Sequence, residues 1–153
     1  MKHVRFTAVA AVLALACFNA CAQSQSPSLA ERIKVGAPKG ITKAFFACVD
    51  EADKKLDSLA LALCETDEKE IQKNRMDSLY KLTLSKVNAQ DRETLTIIQK
   101  SWLEFYRETG KMDDVFFNAD GGDGNFDVAL REIYRICERA NDLGLYLRLA
   151  KSE

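Results

Sequence analysis

An all-α fold, a compact antiparallel bundle of about four helices, is the class this sequence predicts, and three observations predict it. Proline stops after Pro38, and glycine is confined to Gly36, Gly40, Gly110, the cluster Gly121, Gly122 and Gly124, and Gly144. Both residues weaken helix interiors, so the long stretches free of them can be helical. Apolar residues recur at steps of three and four, which puts each set on one helical face. Such stripes need one another, and packing them together gives one shared core.

The chain opens with Lys2 and Arg5, continues through an apolar run from Phe6 to Phe18 interrupted by Thr7, and reaches Ala20-Cys21-Ala22. A basic start, an apolar middle and an A-x-A site are the parts of a secretory signal peptide, here residues 1–22. The expected destination is the periplasm or the exterior. A lipid anchor on Cys17 or Cys21 is the alternative processing. Cleavage after Ala22 removes His3, the single histidine, and leaves 20 basic against 23 acidic residues, a formal charge of −3. No basic stripe suited to nucleic acid remains. No later apolar run approaches the roughly 20 residues of a membrane helix.

Residues 23–40 hold Ser24, Ser26, Ser28, both prolines and Gly36, and read as a flexible leader before a single domain at 41–153. Phe45, Val49, Ala52, Leu56, Leu59 and Leu63 then follow helical spacing. One unbroken helix would hold Cys48 and Cys64 about 24 Å apart, whereas a disulfide needs Cα atoms within about 7 Å. A bond between them therefore demands a reversal. Asp57 and Ser58 are the expected turn, with Ser58 capping a helix from Leu59 to about Val87. Its inner face is expected to carry Met76, Leu79, Tyr80, Thr83 and Val87.

Asn88 with Asp91 makes the next capping signal. The third helix is expected to bury Leu95, Ile98, Trp102 and Phe105 or Tyr106, and to loosen near Gly110. Ala129, Ile133, Ile136, Ala140, Leu143 and Leu147 mark the inner face of the fourth. Between these two helices, residues 111–127 carry Asp113, Asp114, Asp120, Asp123 and Asp127 against Lys111, together with Phe116 and Phe117. The segment is longer than common helix connections, which suggests a functional loop, with an extension of the third helix into its first part as the alternative.

Loss of Cys17 and Cys21 leaves Cys48, Cys64 and Cys137 in an oxidising compartment. Cys137 falls on the apolar face of the last helix and reads as a buried free thiol, with intermolecular pairing the alternative. Zinc on Cys48 and Cys64 would need two further ligands that the sequence does not offer, so a disulfide is favoured. Asp123, Asn125 and Asp127 hint at a calcium loop. The EF-hand pattern fails, because Val128 stands where glycine is wanted and Tyr134 where a carboxylate is wanted. Without histidine, no spacing singles out a nucleophile and its base. These residues point to no catalytic set, no metal and no cofactor.

A dispersed pattern from Cys48 to Leu143 resembles the N-terminal domain of LprI-like lysozyme inhibitors. It comprises Cys48 and Cys64, then Glu68, Gln72, Arg75, Met76, Asp77 and Tyr80, like the family's C-x3-E-x3-Q-D-x-R-L-N-x2-Y. Gln99-Lys100-Ser101-Trp102 and Tyr106-Arg107-Glu108 follow, then Gly121-Gly122, Arg139-Ala140 and Leu143. Lys73 departs from the usual Asp, Asp77 from the usual Asn, and Arg107 lies one residue further from Trp102. The cysteines many members carry near Gly110-Lys111 and at Arg131 are missing, which leaves Cys137 without a family partner.

Glu68, Tyr80, Trp102, Arg107 and Arg139 read first as scaffold, with Tyr80 and Trp102 as core anchors and Arg107 pairing with Glu68 or Glu108. The resemblance implies an exported protein, not an enzyme, that binds lysozyme and blocks it sterically. Asp113, Asp114, Asp120 and Asp123 would form the acidic rim of the contact and Phe116 or Phe117 its apolar anchor. The alternative is a periplasmic helical module that binds another envelope protein and has no lysozyme activity.

Overall fold

The computed structural model describes residues 26–117 and 124–150, which form five helices and no strands. The signal-peptide and lipid-anchor readings, with Asp120, Asp123 and Gly121-Gly122, lie outside them. The helices are α1 (Leu29–Gly36), α2 (Lys43–Lys55), α3 (Ser58–Leu84), α4 (Ala89–Phe117) and α5 (Gly124–Ala150). The all-α class holds, with one helix more than the four expected.

The additional helix is α1, inside the stretch read as a leader. Ser28 Oγ accepts from Glu31 N–H, and Glu31 returns the bond to the Ser28 N–H, a reciprocal cap that starts a helix even in polar sequence. Asp53 of α2 accepts from the Leu29 N–H, and Tyr134 of α5 donates to the Ile33 carbonyl at 2.7 Å. Those two bonds, with Ala30 buried beside Phe45 and Val49, dock α1 on the domain.

The reversal between α2 and α3 falls where the cysteines require it. Leu56 takes the left-handed conformation (φ 52°), and its N–H and that of Asp57 return to carbonyls of the last turn of α2. Asp57, not Ser58, is the N-cap of α3, accepting from Ala60 N–H at 2.9 Å. The turn joins Cys48 to Cys64 with Cα atoms 5.8 Å apart. The turn also resets the buried face: Leu56, Leu59 and Leu63, which continue the spacing of α2, are exposed. α3 instead turns inward Cys64, Glu68, Gln72, Met76 and Thr83, and it ends at Leu84 rather than Val87.

Lys69 meets Glu132, Arg75 meets Asn141 and Thr83 meets the Leu143 carbonyl, so α3 and α5 run parallel; they form the central pair, with α2 packed on α3 and α4 on α5. One core cluster surrounds Phe45, Val49, Ala52, Cys64 and Ile133. A second contains Met76, Leu95, Ile136, Ala140 and Leu143, flanked by Leu79, Tyr80, Trp102 and Tyr106. Along α5 Ile133, Ile136, Ala140, Leu143 and Leu147 are buried as expected, whereas Ala129 is half-buried and Val128 is buried beside it. Asn88 caps α4 as expected, accepting from Asp91 N–H at 2.9 Å. That helix does not loosen at Gly110 but runs on to Phe117. Leu95 is its principal buried apolar residue, Trp102 and Tyr106 are half-buried against the second cluster, so that Tyr106 rather than Phe105 takes the inner position, and Ile98, expected inside, is exposed.

No described helix is long and apolar enough to cross a membrane.

Candidate protein-binding groove

Where α1, the α2–α3 turn and the first turns of α5 meet, they leave a groove of about 1050 Å³. Leu29, Ile33, Leu61, Phe126, Leu130 and Tyr134 supply its apolar surface. Carboxylates come from four places: Asp53 near the end of α2, Asp57 at the turn, Glu65 on α3 and Asp127 in the first turn of α5. Among the described residues Arg32 is the one basic residue of the lining, which carries a net negative charge. Each part is fixed by the fold: Asp53 holds the start of α1, Asp57 caps α3, and Tyr134 is tied to Ile33.

Burial pushes the Glu65 carboxyl up to about 7, against the opposing pull of Lys69, and pushes the Tyr134 hydroxyl up to about 12. Lys69 is itself ion-paired to Glu132 of α5. A carboxyl that resists ionisation beside apolar walls gains from an incoming cation, because the cation replaces the solvation that burial removed. The groove therefore suits an apolar or amphipathic group carrying positive charge, such as a lysine or arginine side chain on a partner surface.

Residues 111–127, the sequence's candidate loop, are used differently. Lys111–Phe117 completes α4, and Gly124–Asp127 begins α5. Asp113, expected at an acidic rim, is buried: one carboxylate oxygen accepts from Arg131 Nε at 3.2 Å and the other from Arg135. It ties α4 to α5. Asp114 is exposed, as is Phe116, and Phe117 lies under the Arg131 guanidinium, 5.0 Å from ring centroid to Cζ. Of the expected rim and anchor, Asp114, Phe116 and Phe117 remain at the surface among the described residues. Sequence reasoning missed Asp53, Asp57 and Glu65, which are far from residue 111 in the chain and reach the same end of the bundle only through the α2–α3 reversal.

The family-like polar residues form a second constellation, and it is internal. Glu68 is buried and accepts from Thr42 N–H at 3.0 Å, from Thr42 Oγ1 at 2.5 Å and from Gln72 Nε2 at 2.7 Å. Gln72 also donates to the Gly40 carbonyl at 2.8 Å. Arg75 donates to Gln72 Oε1 and to Asn141 Oδ1, and Asn141 and Cys137 both donate to the Lys39 carbonyl. Glu68, Gln72 and Arg75, at steps of four and three, thus line one face of α3 and clamp the 39–42 connection against α5. Gly40 (φ 115°) lies so close to Arg75 that a Cβ there would meet its Nη1 at 2.6 Å.

Cys137, the free thiol, is buried in this clamp, and burial pushes its pKa up despite the nearby Arg75 guanidinium.

The remaining family-like residues also build structure. Arg139 is buried, donates to Gln99 Oε1 at 2.8 Å and lies over Trp102, whose ring stacks on Tyr106 with centroids 5.3 Å apart. Tyr80 packs half-buried against the second cluster. Arg107 is exposed and pairs with neighbouring Glu108. Among the described residues no group of three or more histidine, cysteine, aspartate or glutamate side chains could hold a metal ion. Comparison of the chain with protein-family models, with curated proteins and with solved structures finds no match.

Proposed function

We propose that this chain is an exported binding protein that uses the acidic groove to hold a basic protein, and that lysozyme, the partner implied by the LprI-like resemblance, is what it blocks. One observation carries the reading: a preformed apolar groove with carboxylates supplied from four separate positions of the fold and a single basic residue. Such a surface steers a cationic partner and then offers it apolar area to bury. Blockage is occlusion of the partner's cleft, with no covalent step.

The test is inhibition of a purified animal lysozyme on a cell-wall suspension by the oxidised chain from Gln23 onward, over a range of salt. The expected result is stoichiometric inhibition that weakens as salt rises. The triple variant D57N/E65Q/D127N should lose most of it while remaining folded. Undiminished inhibition by that variant would remove the groove from the reading, and no inhibition by folded wild type would remove lysozyme. The second reading, an envelope interaction module without lysozyme activity, is favoured by a different feature, the uncovered apolar face of α4.

A further inference from the structure

α4 is amphipathic twice over. One stripe, Leu95, Gln99, Trp102, Tyr106 and Asp113, faces α3 and α5. About a quarter-turn round the same helix lies a second stripe, outside the domain: Ile98 (44 % exposed), Phe105 (59 %), Met112 (55 %) and Phe116 (71 %), with Ile97 (59 %) and Val115 (66 %) along its edge. These six side chains expose about 600 Å² if each offers roughly 150–200 Å² when free. That is at the upper end of the patches that monomers tolerate and close to the ~800 Å² each partner contributes to a standard interface.

We infer that this face of α4 is a homodimer interface in which two copies pair their α4 helices antiparallel about a two-fold axis. Three features of the helix select a second copy. Ile98, Phe105 and Met112 recur at intervals of seven, the spacing of one core series of a coiled coil, while the interleaved series Ser101, Glu108 and Val115 places a glutamate opposite Phe105. Antiparallel pairing sets Ile98 against Val115 of the second copy and Met112 against its small Ser101. The same register brings Glu104 opposite Lys111 of the second copy, and the two-fold axis makes that contact twice, as a self-complementary interface requires. In the single chain Lys111 bonds Glu108 of its own helix at the surface, a pair easily exchanged.

A lipid surface fits less well. Membrane-lying helices carry mostly lysine and arginine beside the apolar face, whereas this one is bordered by Glu93, Glu104 and Glu108 as well as Lys100 and Lys111. The interface is independent of the groove, which lies among α1, the α2–α3 turn and α5.

Sedimentation velocity of the oxidised chain from Gln23, over roughly micromolar to hundred-micromolar concentrations, tests the inference. A concentration-dependent dimer is expected. F105E/M112E should weaken it about a hundredfold or more with unchanged helical circular dichroism, and the uncharged pair F105S/M112S should act in the same direction. E104K and K111E should each weaken the dimer about fivefold, and the double swap should restore it. A chain that stays monomeric throughout would overturn the proposal. So would a dimer indifferent to Phe105 and Met112, a charge swap without restoration, or a monomer that instead binds phosphatidylglycerol vesicles through this face.

Discussion

The disulfide-bearing part of the molecule and the α4 part both bury polar groups, and they differ in how they are held and in what they leave outside. Around α2, the first half of α3 and the start of α5, Glu68 and Gln72 are buried and hydrogen-bonded, and Cys48–Cys64 staples the turn. Along α4, which carries no staple, Gln99 and Asp113 face in as well, while Phe105, Met112, Val115 and Phe116 form an outward apolar stripe. Polar groups that are buried and fully engaged secure a unique fold, and large apolar groups left outside are available for contact. Residue type alone therefore misassigns both regions: the carboxylate at 113 is a strut, and the phenylalanine at 105 is surface.

The sharpest break of the first region is Glu68→Ala. It strands the Thr42 and Gln72 donors in a buried site and should cost about 3–5 kcal/mol in chemical denaturation. Cys48→Ser with Cys64→Ser, or reduction of the bond, releases a loop of 16 residues and should cost about 3 kcal/mol in the chain-entropy model. In the α4 region the contrast is within one helix. Trp102→Ala removes half-buried stacking on Tyr106 and should cost about 2 kcal/mol, whereas Phe105→Ala should change the stability of the monomer by less than about 0.5 kcal/mol.

Glu65 gives the comparison a pH axis. Its folded pKa, about 7, lies above the ordinary carboxylate value, so the folded state holds this proton more tightly than the unfolded one. The contribution to stability is fully present below the unfolded pKa of about 4.3 and is lost as pH rises through about 7. Glu65→Gln should flatten that loss and leave the protein more stable at neutral pH, read as midpoint against pH in urea titrations. A small effect of the opposite sign is expected at Leu56, exposed and left-handed: Leu56→Gly should be neutral or stabilise by up to about 1 kcal/mol in thermal melts.

Much of the fold was legible in the sequence. The α5 stripe, the Asn88 cap and the reversal between the cysteines follow from spacing and cap chemistry. So does the buried free thiol at Cys137. What was not legible has physical causes. α1 is started by a side-chain cap and fixed by single bonds to Asp53 and Tyr134, neither of which leaves an apolar period to read. Leu59 and Leu63 repeat the spacing of α2, but the left-handed Leu56 rotates the next helix so that Glu68 and Gln72 take the inner face. On α4, two apolar stripes share one helix, and periodicity cannot say which is inside. The groove combines residues from α1, α2, α3 and α5, and no linear motif brings them together.

The measurement that bears most directly on the account is hydrogen exchange of the oxidised chain with and without an animal lysozyme at low salt. The account predicts added protection over α1, residues 57–65 and residues 125–134, lost again at high salt, with α4 insensitive to lysozyme. Protection confined to α4, or none in a folded chain, would contradict it.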